Sequence, residues 1–530
     1  MKSWTLQLNP KYTNVGKEDA RRFHPYTVPS TIRESRKTIP ALEVVPALNF
    51  NLLFLIFIIS LVATIQAILA VGSYSGQGNP PMFGDFEAQR HWMEITIHIP
   101  ANKWYVNSTD NDLLYWGLDY PPLTAYHSYF MGMIAHFLNP AWVALNSSRG
   151  IQDELHKMFM RITAILPFHF IYMPALVYFL YYEVRAKDKS INSLLALTLL
   201  YPGLIAIDNA HFQYNSVSLG LFLISFLFLI NRKLLLGSIF FVFALNYKQM
   251  ELYHALPIFV FILARCLKRP LWANRYESIT SLVKVAVTVV LTFAIIWLPF
   301  IYSGSQSVLA VLSRIFPFCR GLYEDKVASV WCAFSFILRM NSHFSLDTQV
   351  KISAVSVLLV TIPSLVLLFL RPTTRNFTLS LFITSLAFFL FSFQVHEKSI
   401  LLAAVPALLL LPDYQVAIVW FLHITNTSLF SLCLKDHTGS ILALFIAYYV
   451  ACSATTVFFG KLQCIAYHLS CLTALAICVA EWTLTPPQRY PHIFPLMNAV
   501  YSCAHFLLFM AYFYFDMISN EYKVFVGKSL

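Results

Sequence analysis

The sequence predicts an all-α polytopic membrane protein, and three observations carry that prediction. The 530 residues are 58% hydrophobic and only 12% charged, whereas a soluble domain is about 45–50% apolar and about 25% charged. The apolar residues gather into runs approaching the roughly 17–25 residues that take a helix across a bilayer. Aromatics reach 16%, which suits lipid-facing surfaces and belts at the membrane interfaces. The same composition excludes other classes. Lys and Arg number 37 against 26 Asp and Glu, but no basic stripe interleaves with aromatics, so there is no nucleic-acid footprint. The 9 Cys are scattered with no C-x-x-C, which argues against a zinc site or a disulfide framework. The sequence offers no obvious metal cluster.

Residues 1–47 are polar, basic and punctuated by proline, and read as a poorly ordered cytosolic tail. Residues 48–520 form the membrane domain. Its apolar runs lie near 48–71, 161–182, 190–206, 212–230, 235–250, 252–267, 280–301, 352–371, 377–394, 398–411, 413–434, 439–458, 463–482 and 494–515. The first is expected to stay in the membrane as a signal anchor. Cytosolic loops collect Lys and Arg. That rule puts "EVRAKDKS" (183–190), "RCLKRPLWANRYES" (265–278) and "RPTTR" (371–375) in the cytosol if 121–140 and 330–340 lie at the interface without crossing. The result is about 14 transmembrane helices, with both ends, including the short tail 521–530, cytosolic. A first long loop at 72–160 and a second at 302–351 then fall on the opposite face, together with "VHEKS" (395–399).

That face holds most of the unusual chemistry. "FGDFEAQRHWMEI" (83–95) is expected to be helical, with Asp85 near its amino end, where a helix dipole favours a carboxylate. Helical spacing puts Asp85, Gln89 and Trp92 on one face and Glu87, His91 and Glu94 on another, with Glu87 near Arg90. This suits either an ion-paired interfacial helix or a pair of acids placed for chemistry. "YWGLDYPPLTAYHS" (115–128) follows. Its Pro pair stiffens the backbone, so it is either a rigid turn or a wall presenting Asp119, Trp116 and Tyr120 to a sugar. "DNAHFQYNS" (208–216) and "NYKQMELYH" (246–254) place Asp208, His211, Gln213, Asn215, Lys248, Glu251 and His254 at or between span ends. Polar groups at that depth face a cavity or one another. Arg314, Arg320, Lys326, His396, Glu397 and Lys398 lie in loops on the same face, where cations can clamp phosphate oxygens. Nucleotide-binding and hydrolase motifs are absent, so an activated group would have to come from elsewhere, such as a lipid.

Together "FGDFEAQRHWMEI", "YWGLDYPPLTAYHS", "HFQYNSVSLG", "NYKQMELYHALP", "RGLYEDKVA" and "FQVHEKS" resemble the dolichyl-phosphate-glucose-dependent glucosyltransferases of asparagine-linked glycosylation. The resemblance runs over about residues 48–520 and omits the tail 1–47. It implies a GT-C glycosyltransferase fold in the endoplasmic reticulum membrane, with interfacial helices in the first loop, chemistry on the lumenal side, and no metal and no cofactor. The implied activity is transfer of the first glucose, α-1,3-linked, to the nine-mannose dolichol-pyrophosphate-linked oligosaccharide. The alternative within the family is addition of the second glucose. The alternative from another class is a polytopic lipid transporter, which would leave the acid-rich first loop and the Pro-Pro turn unexplained.

A β-linked donor and an α-linked product imply inversion by one displacement, with one carboxylate as base. The resemblance assigns that base to Asp85, with Glu87 as the alternative or as support. It places His396 toward the donor phosphate, Glu397 toward a glucose hydroxyl, and Asp119, Tyr120 and Trp116 in the sugar pocket. Arg314, Arg320 and Lys326 are candidates for the phosphate clamp. The sequons at Asn107 and Asn146 are expected to be lumenal and open to glycosylation. Those at Asn376, on the cytosolic side, and Asn426, within a span, are expected to stay bare.

Overall fold

The computed structural model describes residues 52–187, 191–267, 275–316, 326–335, 343–454 and 460–526; the expected tail at 1–47 lies outside them. Helix follows helix throughout. The order is α1 (Leu52–Val71), α2 (Gly84–His98), α3 (Pro122–Leu138), α4 (Glu154–Tyr182), α5 (Ile191–Phe212), α6 (Asn215–Ile230), α7 (Leu234–Tyr247), α8 (Leu252–Cys266) and α9 (Arg275–Tyr302). Then come α10 (Ser305–Ile315), α11 (Val330–Phe334), α12 (Leu346–Leu370), α13 (Thr374–Phe391), α14 (Leu401–Leu410), α15 (Gln415–Lys435), α16 (Ile441–Ser453), α17 (Lys461–Thr483) and α18 (Ile493–Val526). The only β pairing among the described residues is an isolated bridge between Ser108 and Asn111.

Among the described residues nine helices are long and apolar enough to cross a membrane: α1, α4, α5, α9, α12, α13, α15, α17 and α18. The other five apolar runs coincide with shorter helices, α6, α7, α8, α14 and α16, and their shortness has a physical reason. A short apolar helix such as α14 is buried along its whole length, so it is surrounded by protein and need not match the bilayer. Of the two stretches read as interfacial, 121–140 forms α3. This helix lies close against α2, where a Cβ on Gly132 would stand 2.8 Å from the Met93 carbonyl oxygen. The other, 330–340, is described only to Ser335 and contains the five-residue α11.

Local chemistry sets the boundaries that matter for the site. Just before α2 the backbone crosses itself: a Cβ on Gly84 (φ +70°) would sit 2.4 Å from the Ser75 carbonyl oxygen. Only glycine tolerates that approach. The Pro121-Pro122 pair opens α3, with Pro122 at the first helical position, where a missing N–H costs nothing. Asp153, Ser345 and Thr373 cap α4, α12 and α13 with their side chains. Two helices widen into π-turns, at Phe168–Tyr172 in α4 and Ala206–Phe212 at the end of α5. A π-turn leaves backbone groups without their usual partners and often marks a functional position.

The 371–375 loop, expected to be cytosolic, is tied by ion pairs to the last helix. Arg371 pairs with Glu521 at 2.7 Å, and Arg375 pairs with Asp516. Asn376 is buried there and donates to Glu521. Asn426 is wholly buried inside α15. Neither sequon presents an exposed amide, whereas Asn107 and Asn146 are exposed.

Candidate active site

The site forms where the start of α2 meets the π-turn of α5. That turn is held from below. The Arg161 guanidinium on α4 donates to the carbonyl oxygens of Asn209 and Ala210 and, at 2.9 Å, of Ser73. These are backbone acceptors that the widened helix leaves available. Asp208, in the same turn, takes the backbone N–H groups of Asn215 and Ser216 at 3.1 and 2.7 Å, and so caps the start of α6. An acid is favoured at a helix amino end. With both ends of the turn fixed, the His211 imidazole is directed at α2.

Asp85 is the focus. Its Oδ2 accepts from His211 Nε2 at 3.0 Å, from Gln213 Nε2 at 2.5 Å and from the Lys398 ammonium. No hydrogen bond to Oδ1 occurs among the described residues, and the side chain is 22% exposed. One oxygen is therefore held and the other is open. Burial alone pushes this carboxyl up, but the Lys398 charge and the His211 hydrogen bond outweigh it and hold the group well below the ordinary carboxylate range. Gln213 is itself oriented: Lys248 donates to its Oε1 at 3.2 Å, which turns the amide N–H toward Asp85. On the far side of His211, Nδ1 lies 2.5 Å from Asp436 Oδ2.

Glu87, two residues further along α2, is engaged differently. Both of its oxygens accept from Arg90, at 2.6 and 2.8 Å, and Tyr115 adds a third bond at 2.8 Å. Arg90 also reaches Glu94 at 2.7 Å and Ser148 at 2.5 Å. Glu94 accepts the Asn146 backbone N–H at 2.7 Å. The result is a closed, buried ion network tying α2 to the 142–148 loop.

The aromatic wall stands beside the turn into α2. Trp116 donates its indole N–H to the Met82 carbonyl, and its own carbonyl accepts from Trp92 at 2.8 Å. The Tyr120 ring packs edge-on to Trp92, with centroids 5.1 Å apart. The Lys248 ammonium stands 5.1 Å from that ring. Gln249 donates to the Asp119 carbonyl at 3.1 Å. The guanidinium of Arg314 donates to the carbonyls of Gly117 and Leu118 at 2.8 and 3.3 Å, so it braces this wall. In the "HEK" segment Lys398 reaches Asp85, while Glu397 is buried 3.7 Å from the Lys435 ammonium. His396 is half-buried and starts the same turn. Lys326 is half-buried at the edge of a described segment. Arg320 lies outside the described residues. Glu251 and His254 pair with each other at 2.7 Å, and His254 bonds the Leu402 carbonyl, a buried set that leaves Glu251 Oε1 without a hydrogen-bond partner among the described residues.

Sequence reasoning therefore places Asp85 but assigns no role on it to Lys398, His211 or Gln213, and it passes over Asp436. The available signal was "LKDHT" (434–438), a charged break between two apolar runs on the face that carries "VHEKS".

Comparison with known proteins identifies the family. Residues 54–512 match the model of the ALG6, ALG8 glycosyltransferase family. A Caenorhabditis elegans protein named as a probable dolichyl pyrophosphate Man9GlcNAc2 alpha-1,3-glucosyltransferase is 51% identical over 473 residues, covering 89% of this chain and 91% of its own. The chicken protein (Gallus gallus) named dolichyl pyrophosphate Man9GlcNAc2 alpha-1,3-glucosyltransferase is 43% identical, covering 86% and 94%. A Schizosaccharomyces pombe relative with the "probable" form of that name is 38% identical, covering 86% and 90%. With that match over most of its length and its run of apolar helices, this chain is a multi-pass membrane protein that belongs to the ALG6, ALG8 glycosyltransferase family.

Proposed function

We infer that this chain transfers glucose from dolichyl-phosphate-glucose to a terminal mannose of the nine-mannose dolichol-pyrophosphate-linked oligosaccharide, forming an α-1,3 link. The observation that carries the mechanism is Asp85, with Oδ2 held by three donors and Oδ1 open. The acceptor hydroxyl attacks the anomeric carbon of the donor glucose. Its proton passes to Asp85 Oδ1 as the new C–O bond forms. The bond from that carbon to the phosphate oxygen breaks, and dolichyl phosphate leaves as a stable anion, so no general acid is needed. Inverting hydrolases differ because an alcohol leaves. Asp85 is ionised throughout the neutral range, as a base must be.

Fixed cations meet the charge that develops on the phosphate. His396, Lys326 and Arg320 are assigned to that contact, and Glu397 to a glucose hydroxyl. Arg314 acts on the wall instead, holding the backbone that presents Asp119, Trp116 and Tyr120 to the sugar. Glu87 supports α2 through Arg90 rather than serving as base. The reaction uses no metal, and transfer undiminished by a chelator tests that. The active face is lumenal in the endoplasmic reticulum, with both termini cytosolic and Asn107 and Asn146 on the glycan-accessible side.

The test is transfer by purified protein from dolichyl-phosphate-glucose to the nine-mannose lipid-linked acceptor, beside Asp85→Asn. Wild-type transfer with a folded but inactive variant supports the reading. Equal activity in both sinks the base assignment. Wild-type transfer only to an acceptor already bearing one glucose would instead identify the second-glucose reaction.

A further inference from the structure

We propose that Asp436 is a positioning residue of this reaction, acting on the base through His211, and that the turn 434–438 which carries it is part of the active site. The proposal rests on the assignment of Asp85 as base. Three groups on two neighbouring residues of this turn meet three different parts of the site. The Lys435 ammonium lies 3.7 Å from Glu397 of the "HEK" segment. The Asp436 carboxylate lies 2.5 Å from His211 Nδ1. The Asp436 carbonyl accepts from the Ser73 hydroxyl at 3.0 Å, just before the backbone crossing that starts α2. The turn is held by Thr438, whose N–H and hydroxyl both donate to the Cys433 carbonyl, at 3.0 and 2.7 Å.

The chemistry follows from the order Asp436, His211, Asp85. An imidazole has two nitrogens, and the partner of one sets what the other presents. A carboxylate on Nδ1 keeps a proton there and stabilises positive charge on the ring. Nε2 is then held 3.0 Å from Asp85 Oδ2 and 3.3 Å from the Lys398 ammonium. Asp436 and His211 are both nearly fully buried, so the charged pair keeps its geometry. While this pair holds Oδ2, Oδ1 stays aimed at the acceptor. The same carboxylate–imidazole logic orients bases in unrelated hydrolases.

The experiment measures kcat and KM for both substrates in wild type, Asp436→Asn, Asp436→Glu, His211→Gln and the Asp436→Asn, His211→Gln double variant. Thermal unfolding of each purified protein is followed alongside. The amide keeps the size of the side chain and removes its charge. The expected result is a fall in kcat of about 10- to 100-fold for Asp436→Asn, as for loss of one charge-assisted hydrogen bond, with both KM values within about twofold. Asp436→Glu should recover part of the rate. The double variant should be no slower than the slower single variant, because both substitutions break one pathway.

Wild-type kcat in folded Asp436→Asn overturns the proposal. So does a double variant whose losses multiply, or a Glu variant as slow as Asn. If Asp436→Asn does not purify folded, Asp436→Ser replaces it with the same outcomes. The Asp85→Asn comparison keeps the two readings apart. An active Asp85→Asn overturns the base assignment and this proposal with it. An inactive Asp85→Asn beside a fully active Asp436→Asn overturns this proposal alone.

Discussion

Asp85 and Glu87 stand two residues apart on one helix, yet their surroundings make them different groups. Asp85 has one oxygen tied by three donors from two distant segments and one oxygen open. Glu87 has both oxygens closed by Arg90 and Tyr115, beside a second acid, Glu94, on the same guanidinium. The first arrangement leaves a lone pair for chemistry. The second engages both oxygens with Arg90 and Tyr115, and Arg90 in turn bonds Ser148 of the 142–148 loop. Charge alone does not distinguish the two acids; unused acceptor capacity does.

Exchanging the two roles by mutation is the sharpest way to break this contrast. Asp85→Asn should lower kcat by about 100- to 10,000-fold, the usual contribution of a positioned base, while the unfolding temperature stays near that of wild type. Arg90→Met should do the reverse. It strands two buried carboxylates, a change that costs about 3–5 kcal/mol, read as a large fall in thermal midpoint. If Arg90→Met is stable and inactive, the network belongs to the chemistry and the contrast fails.

Lys398→Met is a smaller perturbation and sharpens the picture of Asp85. The ammonium lowers the Asp85 pKa and burial raises it, so removing the charge must move the pKa up. The acid limb of the kcat profile should shift to higher pH, with a loss of about 10- to 100-fold near neutrality. An unshifted acid limb would show that another group sets it.

Glu94 gives a test of stability against pH. Burial raises its pKa, but the His91 and Arg90 contacts overcome this and hold the group at about 2. Because the folded value lies below the unfolded value of about 4.3, the contribution is complete above that value. It is lost as pH falls toward about 2. Acid unfolding of wild type should therefore lose part of its steepness over that window in Glu94→Gln. The smallest effect is expected from Arg314→Lys, which gives up the forked bond to the Gly117 and Leu118 carbonyls. It should raise KM by a fewfold and leave kcat nearly unchanged; a collapse of kcat would place Arg314 on the donor phosphate after all.

The sequence by itself determined the class of molecule and the location of its chemistry. Run length and the cost of placing charge in lipid are local properties, so the apolar helices, the basic loops and the acid-rich start of α2 are written in neighbouring residues. The Gly84 crossing, the Pro122 start of α3 and the Arg90 pairs one turn away along α2 are local in the same sense. The lengths of individual helices were less legible, because helices such as α14 are short and buried in protein, where bilayer thickness no longer sets their length. What only the tertiary structure decided is which groups meet. His211 is 126 residues from Asp85, Lys398 is 313 away, and Asp436 is 225 beyond His211. No periodicity or motif spacing encodes those encounters. They follow from how the π-turn of α5, the "HEK" turn and the 434–438 turn pack around one end of α2, and that packing ties one oxygen of Asp85 while no hydrogen bond among the described residues takes the other.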